Sequence, residues 1–433
     1  MDHADHADNT EKMGGESPRP GNMKRVNLRC DDLALAPRRQ YAAQLLLAAM
    51  GDECAGECLL VDKGRSSGLS FDGGPVISDA ELDEIAYAAT LQRELATGRI
   101  DDMGMFDENA IGWDVSKPWI DRRAGELAGL IGCGELSSGA MKRRFRVLIT
   151  HDVDRTSLFE PTMLAKSILQ SIGFLRNHIP LATALGRKNL SGIYERLLEC
   201  ERRHGVGACF FMLSGPHGLR RYSSRCDIRW AASRDILRLI TQAGMTVGLH
   251  GSYYARERNG YKREKDRLEQ ALGKAVTCHR NHYLRFDPVR MWSQLEAAGI
   301  RYDFSVGFNY RLGFRAGCGN AYRGFDLQNN RMSGVISIPM LFMDGVLFRG
   351  DRREILRQLR RALEEVRQIN GCVSLLFHPE LLILDPEMWH VFEEVLCMCK
   401  ELGADMSGQL PWLPAPDVET AAKKDSKVEP CVA

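Results

Sequence analysis

The chain has 433 residues, more than one hydrophobic core ordinarily serves, so a large domain with a smaller one beside it is expected. Its 44% hydrophobic and 27% charged residues are those of an ordinary globular protein. A formal net charge of +1 gives no support for a nucleic-acid or membrane-surface partner.

Residues 1–24 open Met1–Asp2–His3–Ala4–Asp5–His6 and stay polar, charged and rich in Gly and Pro, which predicts a disordered tail without a secretory signal. The longest apolar run nearby, residues 42–50, is about half the ~20 residues a membrane span requires. Thirteen cysteines lie scattered without framework spacing, several inside apolar runs such as Gly207–Ala208–Cys209–Phe210–Phe211. That usage fits buried thiols in a reducing compartment, so a cytoplasmic protein is expected. Cys54/Cys58 and Cys397/Cys399 lack the two-residue gap and second knuckle of a metal site.

Residues 25–140 read as a smaller α/β domain. A helical apolar pattern covers 39–50, a short strand includes Leu60 and Val61, and Ser78 caps a helix over 79–97. Another helix runs from Pro118 to about Ile131, and the Gly- and Ser-rich stretch after it reads as a linker. Lys142–Arg143–Arg144 is a solvated basic run ahead of a strand.

Beyond residue 145 the pattern becomes strand, helix, strand, helix. Strand-like runs fall at 145–150, 206–213, 245–250, 275–279, 301–305, 335–342 and 373–378. Helical periods fall at 161–178, 192–204, 233–243, 262–272, 288–298, 352–369 and 386–402. Such alternation predicts an α/β fold in which helices wrap a parallel sheet, here a distorted barrel of seven to eight β/α units over 145–412. Residues 413–433 form a second disordered tail. An open doubly wound sheet is the competing architecture, but no GxGxxG or GxxxxGK[ST] loop favours it.

In a parallel barrel the chemistry sits where strands end. The first strand ends Thr150–His151–Asp152–Val153–Asp154 and the third Gly248–Leu249–His250. The fourth ends Cys278–His279–Arg280–Asn281–His282–Tyr283, and the last Phe377–His378–Pro379–Glu380. Taken singly, each has a bland reading: Asp152 and Asp154 as helix caps, Arg280 as a surface ion-pair partner, each histidine as a solvent-facing strand end. Four apolar strands finishing in His or Asp at one predicted end make that joint coincidence the weaker reading.

At these residues the sequence resembles the polysaccharide deacetylase superfamily, the NodB-like or carbohydrate esterase family 4 group of chitin, peptidoglycan and chito-oligosaccharide deacetylases. It resembles most a branch linked to surface-polysaccharide synthesis that carries His-Asp-Val-Asp at the first strand. The matching stretches run in order through Thr150–Asp154, Gly205–Phe211, Gly248–Tyr253, Arg280–Arg285, Gly313–Gly317 and Leu376–Pro379. The resemblance covers about 145–412.

It implies a hydrolase of carbon–nitrogen bonds other than peptide bonds, acting on an N-acetylated sugar through a divalent metal, zinc by preference. Asp152 matches the superfamily's base, with Arg280 to orient it, and His378 its acid. Asp154 and His250 match metal ligands. The second histidine usually found four places after His250 is replaced by Tyr254. His282 stands where a proline is usual, so either His282 or His151 completes the metal set. Tyr283, through its backbone N–H, and Tyr253 are expected to meet the substrate, with Tyr254, Trp292 and Phe286 available for stacking. Arg315 is expected to bind a carboxylate or phosphate, or else to form an ion pair within its loop. Asp303 and Glu380 are lesser candidates. Two alternatives stay open: a hydrolase of another C–N bond, such as a cyclic ureide, and a metal-free carbohydrate-binding or scaffolding module. A third is an assembly protein that recruits a partner through its N-terminal unit.

Overall fold

The computed structural model describes residues 26–29, 36–50, 59–62, 68–71, 76–98, 111–130, 144–156, 190–215, 222, 226–257 and 259–411. The expected tails, the helix at 161–178, the linker after residue 131 and the Cys54/Cys58 pair lie outside them.

The first part of the chain runs β1 (Val26–Arg29), α1 (Ala36–Met50), β2 (Leu59–Asp62), β3 (Gly68–Phe71), β4 (Val76–Ile77), α2 (Asp79–Ala89), α3 (Gln92–Thr97) and α4 (Trp119–Leu130). Its strands form a small sheet in the order β2-β1-β3-β4. Ser78 caps α2 as expected, its Oγ accepting from the Glu81 N–H at 3.2 Å. The single helix read over 79–97 is instead two. Thr90 turns its hydroxyl back onto the Ala86 carbonyl at 2.6 Å, and Leu91 adopts a left-handed backbone with φ 57°. A hydroxyl bonded to the preceding turn competes with helix continuation.

The remainder runs β5 (Arg146–Val153), α5 (Ser191–His204), β6 (Cys209–Leu213), α6 (Ala231–Gln242), β7 (Thr246–Gly251), α7 (Gly260–Leu272), β8 (Cys278–Asn281), α8 (Met291–Ala297) and β9 (Tyr302–Asp303). There follow β10 (Tyr322–Asp326), β11 (Arg331–Ser337), β12 (Met340–Met343), α9 (Arg352–Gln368), β13 (Cys372–Leu376), α10 (Leu381–Leu384) and α11 (Glu387–Glu401). All but one of the pairings in this nine-stranded sheet are parallel, in the order β10-β11-β9-β8-β7-β6-β5-β13-β12.

The sheet is curled. The run expected as one strand at 335–342 breaks at Pro339, which can donate no ladder hydrogen bond. Either side of the break it serves opposite ends of the parallel run. Ile338 N–H donates to Asp303 O at 2.8 Å and Met340 N–H to Val306 O at 2.8 Å, while Ser374 N–H donates to Pro339 O at 2.8 Å. One chain segment thus bonds both to the β9 side and to β13, an arrangement consistent with a distorted barrel. The antiparallel edge strand β10 has no counterpart among the strands expected from periodicity. Its hairpin is turned by Asp326, which accepts from the N–H groups of Gln328 and Asn329, and by Asn330 with φ 48°.

One apolar core fills the space between the parallel strands and helices α5, α6, α9 and α11. A second contains residues of α1, α2 and α4 together with Met291, Trp292, Phe325 and Val335, so the N-terminal helices share a core with the larger unit. Buried polar links tie them as well: Tyr41 Oη donates to Arg323 O at 2.8 Å, and the Asp121 carboxylate accepts from Gly319 N–H at 2.7 Å. Among the described residues no helix is long and apolar enough to cross a membrane, and the cysteines form no disulfide with one another.

Candidate active site

Alternation along β5 sorts its polar end. Thr150 and Asp152 face one side of the strand while His151 faces the other. Asp152 Oδ1 accepts from Arg280 Nη1 at 2.9 Å, and the same nitrogen reaches Thr150 Oγ1 at 2.9 Å. Arg280 leaves the end of β8 fully buried. Its Nε donates to Phe304 O at 3.1 Å, and its guanidinium lies 4.6 Å above the Phe211 ring. Gly248 on β7 makes room for that ring, since a Cβ there would stand 2.6 Å from Phe211 ring atoms. The buried charge is therefore held by a carboxylate, a carbonyl and an aromatic face at once.

His250 closes β7. Its Nδ1 lies 3.0 Å from Arg280 O, so Nδ1 carries a proton and Nε2 faces the strand ends. Nε2 is 3.1 Å from Asp154 Oδ1 and 3.6 Å from Asp152 Oδ2. His282 Nε2 stands 3.5 Å from the other Asp154 oxygen, Oδ2. Although close, His250 Nε2 and Asp154 Oδ1 are misaligned and have no hydrogen-bond partner among the described residues. One donor atom from each of Asp154, His250 and His282 falls within 4.8 Å of the others. Ligand atoms on a tetrahedral zinc at about 2.0–2.1 Å sit roughly 3.3 Å apart, so this donor set fits such an ion. The cluster is also bound together by charge. Burial works against it, yet His282 and His250 bring the Asp154 carboxyl well below the usual range. His250 is raised despite its burial, by Asp152 and Asp154.

His378 follows β13 at the same end of the sheet. Its Nδ1 and its backbone N–H both bond to Asp344, at 2.7 and 2.6 Å. Burial disfavours the imidazolium, but the Asp344 carboxylate outweighs it and His378 is raised well above the ordinary histidine value. Two residues on, burial and then the nearby Asp154 push Glu380 up to about 7, and its Oε2 has no hydrogen-bond partner among the described residues.

Next to His282, Tyr283 stacks on its ring at 3.9 Å and adopts φ 61°, followed by Leu284 at 49°. Two consecutive non-glycine residues in the left-handed region mark a loop constrained by its surroundings. Asn309 Nδ2 donates to Tyr283 O at 3.1 Å. Tyr253 lies beneath the Arg285 guanidinium at 3.8 Å and stacks on Tyr222 at 4.4 Å. Tyr254 packs edge-on against Tyr253, while Phe286 and Trp292 are core residues.

The structure thus brings together Asp152, Asp154, His250, Arg280, His282 and His378, with Tyr253 and Tyr283 alongside. It places three other residues differently. His151 points behind the strand, its Nε2 2.6 Å from Glu201 Oε1 and its Nδ1 2.8 Å from Phe377 O, so it is no ligand for this cluster. Arg315 is buried, its guanidinium bonded to Glu94 of α3 at 2.9 and 2.5 Å and to Gly307 O at 2.7 Å. This is the ion-pair alternative, formed with the N-terminal helices rather than within the loop. Asp303 accepts from Ser305 Oγ and pairs with His279 Nδ1. Asp344 is the site residue that periodicity missed. It follows β12 directly, so the strand-end rule would have found it had the break at Pro339 been recognised.

No protein-family model matches the chain, and no curated protein matches it. Among solved structures, the chain is similar to a candidate polysaccharide deacetylase from Mycobacterium smegmatis, with 18% identity over 62% of this chain and 88% of that one, TM-score 0.41. It is also similar to the chitin deacetylase of Colletotrichum lindemuthianum, with 12% identity over 61% and 84% of the two chains, TM-score 0.32. A third similar structure is a carbohydrate esterase family 4 pseudoenzyme from Bacillus anthracis, with 12% identity over 61% and 64%, TM-score 0.33.

Proposed function

We propose that the chain is a metal-dependent hydrolase that removes the acetyl group from the amide of an N-acetylated sugar. In this reading residues 145–412 carry the chemistry, residues 25–140 form an accessory domain, and residues 1–24 and 413–433 are tails. The observation that carries it is the misaligned set of half-buried Asp154 with buried His250 and His282, between two separate proton-handling pairs, Asp152 with Arg280 and His378 with Asp344.

Asp154, His250 and His282 would hold the ion, and one carboxylate with two imidazoles suits zinc. When bound, such an ion makes an attacking water more acidic and an amide carbonyl more electrophilic. The protein's own groups do the rest. Arg280 fixes Oδ1 of Asp152, leaving Oδ2 to accept the proton of the attacking water. His378, held by Asp344 through Nδ1, presents Nε2 to protonate the departing amine. The backbone N–H of Tyr283, in a loop braced by Asn309, is the donor for the oxyanion. The tyrosines at 253 and 283 flank the space where the sugar would sit.

The metal-free binding module is favoured by one feature, Tyr254 in place of a second histidine on that loop. Tyr254 is engaged with Tyr253, and His282 supplies an imidazole in its stead. Elemental analysis of protein purified without chelator separates the readings: about one zinc per chain with acetate release from N-acetylglucosamine oligomers is expected. Absence of metal, before and after zinc addition, would leave the binding module.

A further inference from the structure

Two segments leave the sheet at the site end and meet beside it. The first follows β9. There Asn309 holds the Tyr283 carbonyl, and its neighbour Tyr310 is 42% exposed. The second is the 3-10 turn Asp344–Phe348, which begins on the residue that holds His378 and ends on Phe348, 50% exposed. Arg349 joins the two, its guanidinium 4.0 Å over the Tyr310 ring, and Arg352 lies 5.4 Å from the Phe348 ring. Arg352 is neutralised by Asp385. Neither Arg349 nor Arg311, the residue after Tyr310, forms an ion pair among the described residues.

Two half-exposed aromatic rings and two uncompensated arginines, one step from His378 on one side and from Tyr283 on the other, are a combination with a chemical meaning. Water-facing aromatic surface suits a flat ring. Arginine suits phosphate oxygens, which it grips in pairs. A neutral glycan would use the rings and leave the cations idle; an acidic glycan would do the reverse.

We infer that this rim binds a nucleoside diphosphate, the carrier of the sugar whose amide is cleaved. The base stacks on Phe348, the diphosphate meets Arg349 and Arg311, and the attached sugar extends between His378 and Tyr283. The sugar's fate rests on the deacetylase reading above; the nucleotide site does not.

Calorimetric titration of the full chain with UDP tests it, beside inorganic pyrophosphate, uridine and vesicles of phosphatidylglycerol. UDP is expected to bind with a Kd of about 0.1 mM or tighter, and pyrophosphate and uridine at least about tenfold more weakly. Phe348→Ala and Arg349→Ala should each weaken UDP about tenfold, the scale of one lost base stack or phosphate clamp. His378→Ala should leave UDP binding unchanged while deacetylation falls; UDP binding by the unaltered chain without any deacetylation would count against the deacetylase reading alone. Pyrophosphate binding as tightly as UDP, no effect of either rim substitution, or vesicle binding without UDP binding would overturn the inference. The last result would assign the rim to a lipid-borne phosphate.

Discussion

Asp344 takes two hydrogen bonds from His378, one from the ring and one from the main chain, so a single carboxylate fixes both the tautomer and the position of that imidazole. It also sets the charge. Because Asp344 raises His378, the imidazole stays protonated to higher pH than an ordinary histidine, which is what the role of acid proposed for it requires.

Asp344→Asn should therefore move the alkaline fall of kcat to lower pH, as burial, no longer opposed, depresses the imidazolium. His378→Ala should lower kcat by about 10²–10⁴-fold and abolish that limb. A raised native value also means that the pair's contribution to stability is complete below the unfolded value near 6.5 and fades as pH rises through the native one. The loss of stability on Asp344→Asn should accordingly be larger at pH 6 than at strongly alkaline pH, measured by urea unfolding. An unshifted pH–rate profile would separate Asp344 from the acid.

The two aspartates of β5 should part company on substitution. Asp154→Asn is expected to lose zinc and turnover together, whereas Asp152→Asn keeps zinc and loses about 10²–10⁴-fold in rate. Zinc content and acetate release on both variants decide it, and reversed metal contents would exchange the two assignments.

His151→Ala should leave zinc at about one per chain, since the ring is bonded to Glu201 and Phe377 O on the far side of the strand. Its cost is structural. Leaving the Glu201 carboxylate buried without its partner should destabilise the fold by about 3 kcal/mol. Zinc loss in this variant at a temperature where circular dichroism still reports a native fold would restore His151 as a ligand.

Glu94→Gln tests the tie between the N-terminal helices and the rest of the chain. Both members of its pair with Arg315 are buried, so breaking it should cost roughly 3–5 kcal/mol in denaturant unfolding. Replacing both residues together by apolar ones should cost less than the sum of the single changes. Strict additivity would mean that the two do not interact energetically.

Much of this was legible in the strand ends. Apolar runs finishing in Asp152, His250, Arg280 and His378 are local patterns, and a parallel sheet sends such ends to one place. What was hidden depends on pairings distant in sequence. Nothing near Arg315 points to Glu94, because their meeting is set by docking of the N-terminal helices. His151 differs from Asp152 only by strand parity, which a two-residue period resolves once the strand's limits are known. Asp344 was lost to an apolar run read as one strand, and β10 to a hairpin whose turn signal, Asp326 to Asn330, was not weighed.

The place of β5 between β6 and β13 has a consequence for how the chain is made. Thr150 bonds to Leu375 across a separation of 225 residues, so this central strand waits with one edge bare while most of the protein is still being synthesised. Contacts so distant are slow to form, and a long apolar edge left open invites pairing with another chain. Fragments ending before Cys372 should therefore be sticky rather than simply inactive, and the strand that brings His378 is also the one that seals the sheet against its neighbours.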